Sequence, residues 1–146
     1  MSPTSGLLSS EQLGVLIDQG DIETVLVGFT DLYGRFMGKR FDADFYVNNV
    51  TEHGTHACDY LLTVDMEMEP VPGYQIANWQ RGYGDFHLVP DANTLRLASW
   101  LDKSALVICD VEDEQQHALV RQAPRSILRT QIERASEMGL AAKAAS

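Results

Sequence analysis

Gly84 to Glu112, GDFHLVPDANTLRLASWLDKSALVICDVE, carries three strand-like runs separated by turn signals, and a chain containing it is committed to a sheet core. Asp85 to Val89 alternates, Asn93 follows the Pro90-Asp91 turn, Thr94 to Trp100 is β-branched and aromatic at its ends, and Ala105 to Cys109 is a continuous apolar run. Continuous runs of this kind are buried on both faces of a sheet. Leu101-Asp102-Lys103-Ser104 breaks the last two runs, so a meander of neighbouring strands is the simplest pairing, with Phe86, Trp100 and Cys109 in the core.

Upstream, Ser9 or Ser10 caps a short helix with Gln12 as the reciprocal partner, Leu13, Leu16 and Ile17 on one face and Gly20 as the stop. Thr24 to Thr30 reads as a buried strand, Asp31-Leu32-Tyr33-Gly34 as a tight turn and Phe36 to Phe41 as the returning strand of a hairpin. Asp42 caps a second helix carrying Phe45, Tyr46 and Val50, which ends at His53-Gly54. From Thr55 to Gly82 the periodicity loosens. Leu61 to Glu69 reads as a strand with Asp65, Glu67 and Glu69 on a solvated side, followed by a Pro-Gly surface loop. Pro124 opens a last helix with Ile127, Leu128, Gln131, Ile132, Ala135 and Met138 at helical spacing up to Gly139. Leu140 to Ser146 is small and apolar, and reads as the start of a further element.

Hairpin, helix and further strands in a mixed sheet with a helix on one face form an α+β pattern of the β-grasp type. The divisions are 1–22 for the N-terminal helical segment, 23–139 for the β-grasp domain and 140–146 for the following element. With 146 residues, 45% of them hydrophobic, the chain suits one domain with a modest core. A net charge of −10 with 11 scattered Lys and Arg argues against nucleic acid and anionic membranes as partners. No apolar stretch reaches the ~20 residues that span a bilayer, and Met1 to Ser10 lacks the pattern of a signal peptide, so a cytoplasmic protein with Cys58 and Cys109 reduced is expected.

LVPDANTLRLASWLDKSALVICDV resembles the glutamine synthetase signature in which a Pro-Asp and a Thr precede two core strands. VLVGFTDLYGRFMGKR is similar to that family's opening strands, and APRSILRTQIERASEMGL to the helix after its Asp-Pro-Arg-Ser segment, so the resemblance runs from about Val25 to Gly139. It implies the N-terminal β-grasp domain of an ATP-dependent ligase of nitrogen metabolism, which joins the γ-carboxylate of glutamate to ammonia or an amine through γ-glutamyl phosphate. ATP and Mg or Mn would be bound by the parent enzyme's catalytic barrel, beginning near 140–146. No cofactor or metal is assigned to this chain, which alone is expected to be inactive. The implied partners are its own barrel and neighbouring identical subunits of a ring.

In that family the small domain inserts an aspartate into the neighbouring subunit's site to bind and deprotonate ammonium. Asp59, in His56-Ala57-Cys58-Asp59, is similar to that position, and Trp79 resembles a substrate-side tryptophan at the mouth of the site. The family's usual Asp-Gly-Ser-Ser is Asp59-Tyr60-Leu61-Leu62 here, and the spacer Tyr60 to Asn78 is longer. The more apolar replacement suits a carbon-bearing amine, with ammonia the other candidate. Read without the resemblance, Asp59 is a turn acid or helix cap. His53, His56 and Cys58 are closely spaced but short of the about four ligands of a structural zinc site. A free-standing β-grasp module that only binds protein partners is the alternative function.

Overall fold

The computed structural model describes residues 6–144, so residues 1–5 of the N-terminal segment and 145–146 of the last one lie outside the described residues. Helix α1, Ser10–Asp18, starts on a complete capping box: Ser9 Oγ accepts from the Gln12 N–H at 3.1 Å and Gln12 Oε1 accepts from the Ser9 N–H at 2.8 Å. Strands β1, Thr24–Thr30, and β2, Phe36–Asp42, pair antiparallel as the expected hairpin. Their two glycines, Gly28 and Gly38, face each other across the ladder, and a Cβ at either would meet the opposing strand's carbonyl oxygen at 2.2 Å. Asp42 then caps the next helix by accepting from the Phe45 N–H. That helix is built of α2, Ala43–Phe45, a π-helical turn, Tyr46–Val50, and α3, Thr51–His53.

Strand β3, Thr55–Cys58, leads into a 3₁₀ turn at Asp59–Leu62. After a long irregular segment come β4, Asp85–Pro90, a 3₁₀ turn at Ala92–Thr94, β5, Arg96–Leu97, β6, Ser104–Asp113, and α4, Pro124–Glu137. The six strands form one mixed sheet in the order β2-β1-β6-β4-β3, with β5 also on β6. Parallel pairing of β1 with β6 puts Val25 beside Ala105 and Val27 beside Val107, all fully buried. Tyr46 and Val50 of the helix after the hairpin join that core, as does Leu13 of α1. The fold is α+β with a β-grasp-type mixed sheet.

Four expectations are corrected. Thr94 to Trp100 is not a full strand, and the three central runs are not a meander. β4 and β5 are two pieces of one antiparallel partner of β6, with Pro90 opposite Cys109 and Arg96 opposite Leu106. Asp91 interrupts them by capping the 3₁₀ turn, and Thr94 Oγ1 repairs the gap by accepting the Ile108 N–H at 2.8 Å. Leu61 to Glu69 is not a strand either. Asp65 Oδ1 accepts the N–H groups of both Glu67 and Glu69 and closes a turn with Met68 at φ 68, because a short carboxylate competes with the ladder for backbone donors. Trp100 is 65% exposed and outside the core, whereas Phe86 and Cys109 are buried as expected.

Helix α4 keeps its limits but turns its apolar stripe outward: Ile127, Leu128, Ile132 and Met138 are exposed. Its opposite face is fixed to the sheet by charge. Arg125 Nε donates to Asp110 Oδ1 at 2.7 Å and its other end to Asp91, while Arg129 donates to Asp110 Oδ2 at 2.5 Å. Asp110, 17% exposed on β6, is thereby met by two guanidinium groups, and the apolar stripe is left outward. No helix among the described residues is long and apolar enough to cross a membrane.

Candidate functional site

The β3–β4 ladder ends at Cys58 opposite Asp85, and one more bond, from the Asp59 N–H to the Gly84 carbonyl at 2.9 Å, holds the chain as it turns. Burial of Leu62 in the core fixes the 3₁₀ turn that follows, and the Thr63 N–H closes it onto the Tyr60 carbonyl. The Asp59 side chain is thereby 9% exposed. Its Oδ2 accepts the Gly84 N–H at 3.1 Å, while Oδ1 is buried with no hydrogen-bond partner among the described residues. Burial raises its pKa above the ordinary carboxylate value. The hydrogen bond from the Gly84 N–H, the nearby Tyr60 N–H and the charge of Arg81 oppose that rise, and Asp85 reinforces it. Such a carboxylate is a stronger base than a solvated one, and its buried Oδ1 leaves part of its hydrogen-bonding capacity unmet.

Asp59 lines a cavity of about 370 Å³ between the β4 entry and the turn after β6. The wall carries Asp85, Asp113 and Glu114 as well as Asp59, against one guanidinium, Arg81, and the rings of Tyr83 and Phe86. Arg81 is anchored, its Nη1 donating to the Gln75 carbonyl at 2.5 Å. Four carboxylates against one cation favour a positively charged guest with some apolar surface. The same balance repels phosphates, so this cavity does not fit the nucleotide that the family resemblance implies.

Trp79 is 79% exposed and is not part of the cavity wall. It reaches the site through stacked edges: its ring lies 6.3 Å from Tyr83, and Tyr83 lies 5.8 Å from Tyr60, the residue after Asp59. The structure therefore brings Asp59 and Trp79 to the two ends of one aromatic row. Sequence reasoning missed Arg81, Asp85 and the turn 113–116. The glycines flanking Tyr83, Gly82 and Gly84, were the available signal, since close backbone approach is what Gly84 provides to Asp59.

His53, His56 and Cys58 form no joint ligand set. His56 pairs with Glu114 at 3.1 Å, His53 offers its backbone carbonyl to His87, and Cys58 is an exposed free thiol. A different group, His87, Glu112 and His117, places its ligand atoms within 4.8 Å of one another.

No protein-family model matches the chain. Among curated proteins, it is 44% identical over 136 residues to gamma-glutamylethanolamide synthetase GlnA4 of Streptomyces coelicolor, covering 93% of this chain and 29% of the relative. It is 33% identical over 123 residues to glutamate–isopropylamine ligase of a Pseudomonas species, covering 84% of this chain and 27% of the relative. The chain thus spans under a third of the length of the curated relatives it matches. Solved structures described as GmaS with ADP and as apo GmaS superpose with TM-scores of 0.63 and 0.62 at 23% identity, covering 86% and 84% of this chain and 26% and 25% of theirs, a likeness of fold.

Proposed function

From its membership of the glutamine synthetase family, as an N-terminal domain, we propose that this chain is part of an ATP-dependent ligase joining the γ-carboxylate of glutamate to a carbon-bearing amine. In this reading it supplies Asp59 to a neighbouring subunit's active site. The observation that carries the proposal is the buried Asp59 carboxylate, with one oxygen unpartnered, on the wall of an acidic cavity. Both relatives are named for carbon-bearing amines, ethanolamide and isopropylamine, which favours such an amine over ammonia. Phe86 and Tyr83 at the cavity point the same way.

The chemistry assigned to Asp59 has two parts. Its negative charge draws the ammonium form of the amine into the site. It then takes one ammonium proton, freeing the nitrogen lone pair to attack the carbonyl carbon of γ-glutamyl phosphate; the C–O bond to phosphate breaks, and the departing phosphate takes the second N–H proton as the amide forms. Formation of the acyl phosphate, with ATP and Mg or Mn, is assigned to parts of the enzyme outside the matched third. The outward apolar face of α4 is proposed to meet the enzyme's own catalytic barrel or the adjoining subunit in a cytoplasmic homo-oligomer.

The test is Asp59→Asn in the full-length enzyme, with the amine varied. It is expected to lower kcat/KM for the amine by ~10²-fold or more while glutamate-dependent acyl phosphate formation changes far less. An unchanged amine kcat/KM removes Asp59 from the site. Ammonia, ethanolamine and isopropylamine assayed side by side decide the substrate class, and a preference for ammonia overturns that part of the proposal.

A further inference from the structure

The histidines of this chain fall in three separate stretches of the sequence, at positions 53 and 56, 87, and 117, yet folding gathers all four at one end of the sheet. The register does most of this. His56 on β3 is directly opposite His87 on β4, and His87 is directly opposite Glu112 on β6, so three polar side chains form a row across adjacent strands. The chain then turns after β6. Asp113 Oδ1 accepts the N–H groups of Gln115 and Gln116, His117 takes φ 49, and Leu119 returns to bridge with Glu112. That return places the His117 ring 5.8 Å from the His87 ring.

His87 is fixed in one tautomer by its surroundings. Its Nε2 lies 2.9 Å from the His53 carbonyl oxygen, which can only accept, so Nε2 carries the proton. Gly54 makes the approach possible: at φ +65, a Cβ there would meet His87 Nε2 at 2.5 Å. In the neutral ring Nδ1 is then a lone pair. It is buried, without a hydrogen-bond partner among the described residues, and 3.8 Å from Glu112 Oε2, which is also an acceptor. Two acceptors 3.8 Å apart in a sheltered place are mismatched unless a positive charge joins them, and a ring nitrogen backed by an N–H to carbonyl bond on its other side is the usual arrangement of a metal-ligating histidine.

We propose that His87 Nδ1, Glu112 and His117 form a binding site for a borderline divalent transition-metal ion, with Zn²⁺ the reference case. Two imidazoles and a carboxylate suit Zn²⁺, Ni²⁺ or Cu²⁺, whereas Ca²⁺ and Mg²⁺ require more oxygen ligands. Ligand atoms within 4.8 Å of one another need to close to ~3.3 Å around bonds of ~2 Å, a rotation that the exposed His117 on its turn can supply. The site ties the residue 113–116 turn, one wall of the Asp59 cavity, to β4. It is therefore independent of the ligase reading but placed to stiffen that cavity.

Titration of the 146-residue chain with Zn²⁺ in the presence of excess Ca²⁺, followed by calorimetry and by thermal melting, tests the site. Equimolar binding that Ca²⁺ does not displace, with a raised melting temperature, is expected. His117→Ala, on an exposed turn, leaves the metal-free melting temperature unchanged and weakens Zn²⁺ by more than ~10-fold, as does Glu112→Gln. Cys58→Ser and His56→Ala bind as the unaltered chain does. Binding that survives His117→Ala intact, that disappears with Cys58→Ser or His56→Ala, or that Ca²⁺ competes away overturns the proposal.

Discussion

The hairpin turn and the β3–β4 end of the sheet each bury an aspartate, and the two are held in opposite ways. Asp31 is 1% exposed and its carboxylate is saturated: Oδ1 accepts the N–H groups of Tyr33 and Arg35, both at 2.9 Å, and Oδ2 accepts Arg35 Nε at 2.6 Å. Burial pushes its pKa up, but the bonds from the Arg35 side chain and from the Arg35 and Tyr33 N–H groups outweigh that and hold it below the ordinary value. Arg35 also donates from Nη1 to the Met66 carbonyl and from Nη2 to the Asp65 carbonyl, so the turn is bolted to the irregular segment beyond it. Asp59 has one N–H for one oxygen and none for the other, and its pKa is raised by burial. A carboxylate that is fully satisfied holds structure. One left short of donors costs stability and keeps bonding capacity for a guest.

Breaking the saturated carboxylate should have the largest effect. Asp31→Ala strands two backbone N–H groups and the Arg35 guanidinium, and should lower stability by about 3 kcal/mol in urea denaturation. A loss below about 1 kcal/mol would mean that the turn is held by other contacts. Asp31→Asn keeps a neutral acceptor and loses the ion pair, so an intermediate loss of roughly 1–2 kcal/mol is expected.

Asp59→Asn should behave the other way, giving no loss at neutral pH and a gain on the order of 1 kcal/mol or less, because it removes a buried charge while keeping shape and the acceptor for Gly84. A clear destabilisation would make Asp59 another structural acid. The pH dependence separates the pair by sign. The folded pKa of Asp31 lies below its ordinary 3.8, so its contribution is present above 3.8 and is lost as pH falls through the folded value. The folded pKa of Asp59 lies above 3.8, so its contribution is present below 3.8 and is lost as pH rises through the folded value. Melting curves of the unaltered chain and Asp59→Asn should therefore converge in acid and separate above it. The smallest effect belongs to Trp79→Ala, which at 79% exposure should shift stability by less than about 0.5 kcal/mol. A larger shift would show that the aromatic row from Trp79 to Tyr60 holds the Asp59 turn in place.

The amino-acid sequence by itself determined what is settled within a few residues. Ser9 and Gln12 close their capping box, Asp31 to Gly34 make their turn, Asp42 caps its helix, and Pro124 and Gly139 bound α4, because each depends on partners no more than about four residues away. The family resemblance pointed to Asp59 as a position, but nothing local distinguishes it from a turn acid. Only tertiary structure decided the rest. The parallel pairing of β1 with β6, the joining of β4 and β5 along one edge, the arrival of Gly84 on Asp59 from 25 residues away and the meeting of His87 with His117 all depend on where the chain returns. Periodicity says which face of α4 is apolar. That this face points outward is a property of the tertiary structure, in which Arg125 and Arg129 meet Asp91 and Asp110 from other parts of the chain.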